Sequence, residues 1–335
     1  IDNFYTTTIY EKGAELIRML HTLLGESRFM RGMATYVSRF DGTAATTEDF
    51  VQAIADGACA DGQPLGFDLA KFRQWYHQAG TPHLEVKRSW DAAVGQMTVQ
   101  MTQTTSATPG QPEKQPLVLP LAMALVGPEG RLGDEALVVM EGDTMTTTLQ
   151  GQPNSSPPAL SFLRRFSAPL IVQMDQSLQE NLQLFSADDD PFSRWDAGQR
   201  LARQVLLARA QGGRDQAVEA ALIEAMQQRI TAGQAKDRAD LAALLSLPGM
   251  AELEALQSPV DPLALYDAMR SWTEELGRQL QAPLRQVLSL VRHDWPLAWP
   301  AGQGGRALTG LAWRWLAAAG DEDVRREALE VVSGS

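Results

Sequence analysis

Residues 73–86 read RQWYHQAGTPHLEV, and the chain changes its periodicity inside them. Up to Gly80 the apolar residues recur at helical spacing; from Leu84 they alternate with polar ones, so that Leu84 and Val86 share one face of a strand. Gly80 closes the helix, and Pro82 stands between it and the strand. The chain before this stretch therefore reads as helical, and the chain after it as β.

Working back from it, four short helices with tight turns account for residues 9–83. Leu16, Ile17, Leu20 and Leu24 make one apolar face, stopped by Gly25. Arg28–Arg39 fits a second helix, ended by Asp41-Gly42. Thr47 is expected to cap a third, TEDFVQAIADGA, with Phe50 and Ile54 on its apolar stripe. DLAKFRQWYHQAG is the fourth.

Working forward, Met97, Val99 and Met101 repeat the alternation after a turn at Gly95. Leu117, Leu119, Leu121, Met123 and Leu125 do so again, and Pro120 among them implies an edge strand or a bulge. ALVVM, TMTTTLQ and APLIVQM are further strands, separated at the spacing of a β-sandwich. From DDDPFSRWDAGQRL onward the pattern is helical, with apolar stripes in 196–210, 216–229, 238–246, 262–291 and 306–318. Serial helices joined by short breaks suggest a solenoid of helix pairs, although no fixed repeat is present. The expected protein is multidomain and mostly α with a β-sandwich, divided as 1–83, 84–186 and 187–335.

The net charge of −12 over 335 residues excludes the basic footprint that nucleic acid requires and disfavours an anionic membrane surface. An acidic surface tolerates cationic ligands such as peptide amino termini. Cys59 is the single cysteine, which fits a reducing compartment. No apolar run approaches a membrane span. The start, IDNFYTTTIYEKG, has no features of a signal peptide and reads as a cut through a longer protein, as does the C-terminus.

Motifs with chemistry are sparse. His21 reads as a packed or hydrogen-bonded histidine. His77 and His83 have no ligand cluster beside them, and His293 is isolated, so a metal site made from this chain is not expected. The run Asp188–Asp190 reads as a helix entry with Asp190 or Ser193 as cap, and GQGG at 302–305 as a flexible turn. The segment TIYEKGAE, residues 8–15, is more informative. Thr8 and Glu11 have the T-x-x-E spacing of a capping box, which would place Tyr10 at the second helical position, near unpaired N–H groups at the positive end of the helix. A tyrosine there is either a surface residue or a phenol that donates a hydrogen bond to a developing oxyanion.

NFYTTTIYEKGAELIRMLHTLLGE resembles the zinc aminopeptidases of the aminopeptidase N type. The resemblance extends through FDGTAATTEDFVQAI and RQWYHQAGTPHLEV, which is similar to the W-x-x-Q-x-G-x-P signature that closes the family's catalytic domain. EKQPLVLPLAMALV and FSAPLIV resemble its sandwich domain, and DPFSRWDAGQRL the entry to its helical domain. It implies that residues 1–83 are the end of a thermolysin-like catalytic domain. In the family, zinc is held by two histidines of H-E-x-x-H and a later glutamate, with the motif glutamate as general base. A G-x-M-E-N segment binds the substrate's amino terminus. None of these occurs here. The resemblance implies that Tyr10 is the catalytic tyrosine stabilising the tetrahedral oxyanion, that Tyr5 lines the pocket for the first side chain, and that Asp2 falls at a polar pocket position. It further implies a cytoplasmic zinc enzyme releasing N-terminal residues from peptides, with the remaining N-terminal portion of the same protein as partner. This chain alone would then be inactive. The competing reading is a non-catalytic scaffold relative that uses its sandwich and solenoid surfaces to hold partners.

Overall fold

A computed structural model describes residues 8–232, 238–294 and 298–333. The chain forms two compact units. One runs to Gly127 and takes in Arg131–Gln176; the other comprises Pro128–Gly130 and the chain from Ser177 onward.

The first unit opens with a π-helical turn, Thr8–Lys12, that runs into α1, Gly13–Leu24. Lys12 already has α geometry and no side chain caps α1. The side chain of Thr8, and with it the expected capping box, lies outside the described residues. Next come α2 (Glu26–Phe40), α3 (Thr47–Ala58) and α4 (Leu69–His77). Gly25, at φ 72°, separates α1 from α2 in a conformation that costs glycine nothing. On α1 the buried positions are Leu16, Met19, Leu20 and Leu24, whereas Ile17 faces outward. The cap of α3 is Thr46, one residue earlier than the sequence pattern suggests. Its hydroxyl accepts from the Asp49 amide while the Asp49 carboxylate accepts from the Thr46 amide. Threonine followed three residues later by an acid is what decides between the two threonines.

The sandwich has two sheets, ordered β5-β2-β1-β7 and β4-β3-β6. Their strands are β1 (His83–Asp91), β2 (Gln96–Thr104), β3 (Leu119–Gly127), β4 (Gly130–Met140), β5 (Thr144–Gln150), β6 (Ala159–Phe162) and β7 (Ile171–Met174). β1 and β2 form the expected hairpin, and β1 also pairs in parallel with β7. The alternation expected for 117–125 is absent, since every residue of β3 is buried. β3 is the middle strand of its sheet, and one continuous core joins it to α1, α4 and the other sheet. A strand covered on both faces has no solvent side on which to place polar residues. Pro120 is therefore not on an edge strand; it sits ahead of Met123–Val126, the residues that pair with β6.

The second unit is helical: α5 (Leu178–Ala187), α6 (Pro191–Ala210), α7 (Gln216–Ala232), α8 (Arg238–Leu244), α9 (Met250–Glu254), α10 (Pro262–Gln279), α11 (Gln281–Val291), α12 (Gln303–Ala318) and α13 (Glu322–Ser333). The stripe at 262–291 is thus two helices that break at Leu280. α5 begins with a capping box of Ser177 and Glu180. Asp190 caps α6 through the Ser193 amide. Gln303–Gly305 form the first turn of α12 and are not a flexible turn. Their glycines serve close packing: a Cβ on Gly304 would meet the Ala239 amide at 2.7 Å, and one on Gly305 the Asp294 carboxylate at 2.3 Å. Inside the unit, Trp272 is fully buried and Arg209 lies over its ring at 4.8 Å. Glu219 accepts from both Arg209 and Arg214. Burial alone would raise its carboxyl pKa, but the two guanidiniums hold it below the ordinary value.

Two glycines make opposite predictions. A Cβ at Gly277 of α10 would stand 2.0 Å from the Trp315 carbonyl oxygen of α12, while one at Gly310 would meet nothing within 4 Å. Gly277→Ala is expected to lower stability by roughly 1–3 kcal/mol despite its better helix propensity. Gly310→Ala is expected to raise stability by up to about 1 kcal/mol. Denaturant melts of the two variants, read on the same chain, check both signs.

Candidate functional site

Tyr10 lies in the middle of the π-helical turn and is 56% exposed. π-Turns cost hydrogen-bond geometry and occur disproportionately at functional positions. The turn is fastened from its own C-terminal end. Lys12 is half-buried, with Nζ 5.9 Å from the centre of the Trp75 ring, and burial lowers its pKa. A cation over an indole face is held by the ring quadrupole. Trp75 is itself fixed, since Nε1 donates to the Val118 carbonyl at 2.8 Å in the core.

A cavity of about 270 Å³ adjoins this anchor, lined by Lys12, Trp75, Gly80, Phe166, Pro169 and Leu170 among others. Its far wall comes from the chain after β6, whose backbone is strained. Leu163, Arg165 and Phe166 have φ of 54°, 55° and 52°, a region that non-glycine residues rarely enter. Each such residue costs on the order of 1 kcal/mol and persists only when its surroundings hold it. Glu135 does much of the holding. It accepts from Arg164 Nε and Arg165 Nη1, each at 2.7 Å, and Arg164 is buried and also donates to Ser161. On the outer side, Arg18 of α1 packs over the Phe166 ring at 5.1 Å and donates to the Arg165 carbonyl and to Glu15. The first helix, the turn bearing Tyr10 and the strained loop thus form one braced assembly.

The RQWYHQAGTP stretch supplies the seam between helices and sandwich. Gln78 Nε2 donates to the Gln115 carbonyl at 3.1 Å, and the Gln115 amide donates back to Gln78 Oε1 at 2.8 Å. Gly80 has φ 96°, and the Pro82 carbonyl accepts from Ile171. Tyr76, by contrast with Tyr10, is largely buried. Burial and the nearby Glu48 push its phenol up to about 12, so it stays neutral. His21 bonds Glu26 at 2.5 Å and meets Phe29 edge-on, as a structural histidine would.

Tyr5 and Asp2 lie outside the described residues. Of the candidate residues read from the sequence, only Tyr10 can be placed. The signal for Lys12 is its place two positions after Tyr10 as the only cation of residues 8–15. The Leu163–Phe166 loop carries no signal in its residue types, since left-handed geometry is not written in Leu, Arg or Phe.

Residues 1–75 match the model of the peptidase family M1 domain, residues 80–175 the DUF3458 domain of unknown function with an Ig-like fold, and residues 178–335 its C-terminal companion with ARM repeats. Aminopeptidase N of Escherichia coli K12 is 36% identical over 296 residues, covering 86% of this chain and 33% of that protein. Aminopeptidase N of Caulobacter vibrioides is 39% identical over 307 residues, covering 91% and 34%. The crystal structure of Legionella pneumophila aminopeptidase A in complex with aspartic acid superposes with a TM-score of 0.81, at 21% identity, over 98% of this chain and 37% of that one. The fold is that of a peptidase domain segment followed by an Ig-like sandwich and an ARM-like helical array. Within that class, the first 75 residues carry part of a peptidase family M1 domain, and most of the chain is similar to bacterial aminopeptidase N. It spans about a third of the length of the curated relatives it matches.

The clasp on the strained loop has a defined pH dependence. The hydrogen bond from Arg165 is the main reason the Glu135 carboxyl sits below its usual range, with Arg164 adding to it against a raising effect of burial. A depressed folded-state pKa contributes stability that is present above the unfolded value, about 4.3, and is lost as pH falls through the folded one. Glu135→Gln should therefore destabilise the chain at pH 7, and the gap to wild type should shrink as pH drops below about 4. Urea midpoints at pH 7 and pH 3 measure this.

Proposed function

We propose that the chain is part of a zinc-dependent aminopeptidase that hydrolyses N-terminal residues from peptides. In this reading Tyr10 donates its phenolic proton in a hydrogen bond to the oxyanion formed when the first peptide carbonyl is attacked. The observation that carries it is the exposed phenol on a braced π-turn, inside the segment that matches the peptidase M1 domain. An oxyanion donor must be aimed before the charge develops, so that no reorganisation is needed at the moment of reaction. The Lys12–Trp75 contact and the clamped loop supply that rigidity.

Tyr5 is assigned to the pocket for the substrate's first side chain and Asp2 to a polar position of that pocket, on the resemblance alone. Among the described residues there is no group of three or more His, Cys, Asp or Glu that could hold a metal ion. These residues do not fit a zinc site; zinc belongs to the whole enzyme, on ligands that this chain's sequence does not contain. The free thiol of Cys59 suits a cytoplasmic setting. Among the described residues no helix is long and apolar enough to cross a membrane.

Two measurements test the proposal. The chain alone, incubated with zinc, is expected neither to retain the metal stoichiometrically nor to turn over an aminoacyl-anilide. In the longer protein that also carries the zinc ligands, Tyr10→Phe should lower kcat by roughly 10²-fold with little change in Tm. A near-normal kcat removes Tyr10 from the mechanism.

A further inference from the structure

Lys12 stands where the π-helical turn joins α1. Two carboxylates are near it in sequence, Glu11 beside it and Glu15 three residues on. A lysine in such company ordinarily keeps its ammonium in water or pairs it with an acid at the surface. Lys12 does neither. It is half-buried, and its ammonium lies 5.9 Å from the centre of the Trp75 ring. Among the described residues no carboxylate pairs with it, and Glu15 is taken by Arg18. Desolvating an ammonium against an uncharged ring opposes folding unless something else is gained. Choices that run against a residue's local preference concentrate at functional positions.

What the contact fixes is the turn. The π form is rare and the α form is the default, so a turn with no anchor relaxes toward α. That relaxation would swing the side chains ahead of it about the helix axis by up to about 100°, the angle one residue occupies at 3.6 per turn. Tyr10, two residues before Lys12 and in the middle of the turn, would be carried with it. Trp75 offers a fixed point against this. It is 2% exposed, and its Nε1 donates to the Val118 carbonyl at 2.8 Å.

We infer that Lys12 is a positioning residue for Tyr10: its ammonium, seated on the indole face of Trp75, keeps the turn in the π form and the phenol aimed. The inference rests on the reading of Tyr10 as the oxyanion donor. It goes past that reading in requiring the charge and not the bulk of the side chain, because the ring quadrupole attracts an ammonium or a guanidinium and has no such hold on an aliphatic group.

Two readouts test it. On the chain itself, labelling with 3-fluorotyrosine gives each tyrosine a fluorine NMR line, and the line of Tyr10 is the one that Tyr10→Phe removes. In Lys12→Leu that line should broaden or split as the turn samples both forms, while the lines of Tyr36 and Tyr76 stay in place; Lys12→Arg should restore it. In the longer protein that also carries the zinc ligands, Lys12→Leu should lower kcat about tenfold with KM within about twofold, a smaller loss than that of Tyr10→Phe because a misaimed phenol still donates part of the time. Lys12→Arg should recover most of that activity. Added to Tyr10→Phe, Lys12→Leu should cost nothing further, since no phenol is left to aim. The inference is overturned if Lys12→Leu leaves the Tyr10 line or kcat unchanged, if its effect multiplies with that of Tyr10→Phe, or if arginine does not rescue. Movement of every tyrosine line together would make Lys12 a residue of the whole fold and overturns it as well. A near-normal kcat in Tyr10→Phe would instead remove the reading of Tyr10 as donor, and the fluorine line would then decide by itself whether Lys12 holds the phenol.

Discussion

The first unit depends on one buried hydrogen bond, from the Trp75 indole to the Val118 carbonyl. Trp75 ends the helical layer and Val118 begins the approach to β3, the central and fully buried strand. An indole N–H taken out of water without a partner would cost a few kcal/mol, so the helices and the sandwich cannot separate cheaply. The same ring has a second duty. Its edge serves the sandwich, while its face holds the Lys12 ammonium and thereby the turn that carries Tyr10. The position of the candidate catalytic phenol is consequently tied to the core of a neighbouring layer.

Strain and electrostatics are arranged around that anchor in a consistent way. Three left-handed residues in the loop after β6 would relax if nothing opposed them. Glu135 opposes them by gathering Arg164 and Arg165, and Arg18 of the first helix closes over Phe166 from outside. Lys12 sits in a half-buried position whose desolvation it offsets against a π face. The helical unit uses the same economy of paired charges, with Glu219 shared by two arginines and Asp321 gripped by Arg285.

Much of this was legible in the residues. The change from helix to strand at Gly80 and Pro82, the β1–β2 hairpin with its turn at Gly95, and the helical run after Asp190 all follow local rules of periodicity and punctuation. Three of the failures share a cause. The alternation expected at 117–125 and the edge assignment of Pro120 assumed a solvent face that the helices cover. Met19 is buried and Ile17 exposed because what α1 packs against chooses its buried face. The strand β6 is too short, at Ala159–Phe162, to show any period. The helix α5 lies in a stretch expected to belong to the sandwich, although Ser177 and Glu180 have the spacing of a capping box.

For the candidate site, sequence alone singled out Tyr10 as a candidate, through a family resemblance, and its hydrophobic periods gave the order helices, strands, helices, because period is a local property of the chain. The tertiary structure decided what braces the phenol. Lys12 and Trp75 are 63 residues apart, and Arg18 and Arg165 are 147 apart. Contacts over such separations depend on which faces the helices and sheets bury together.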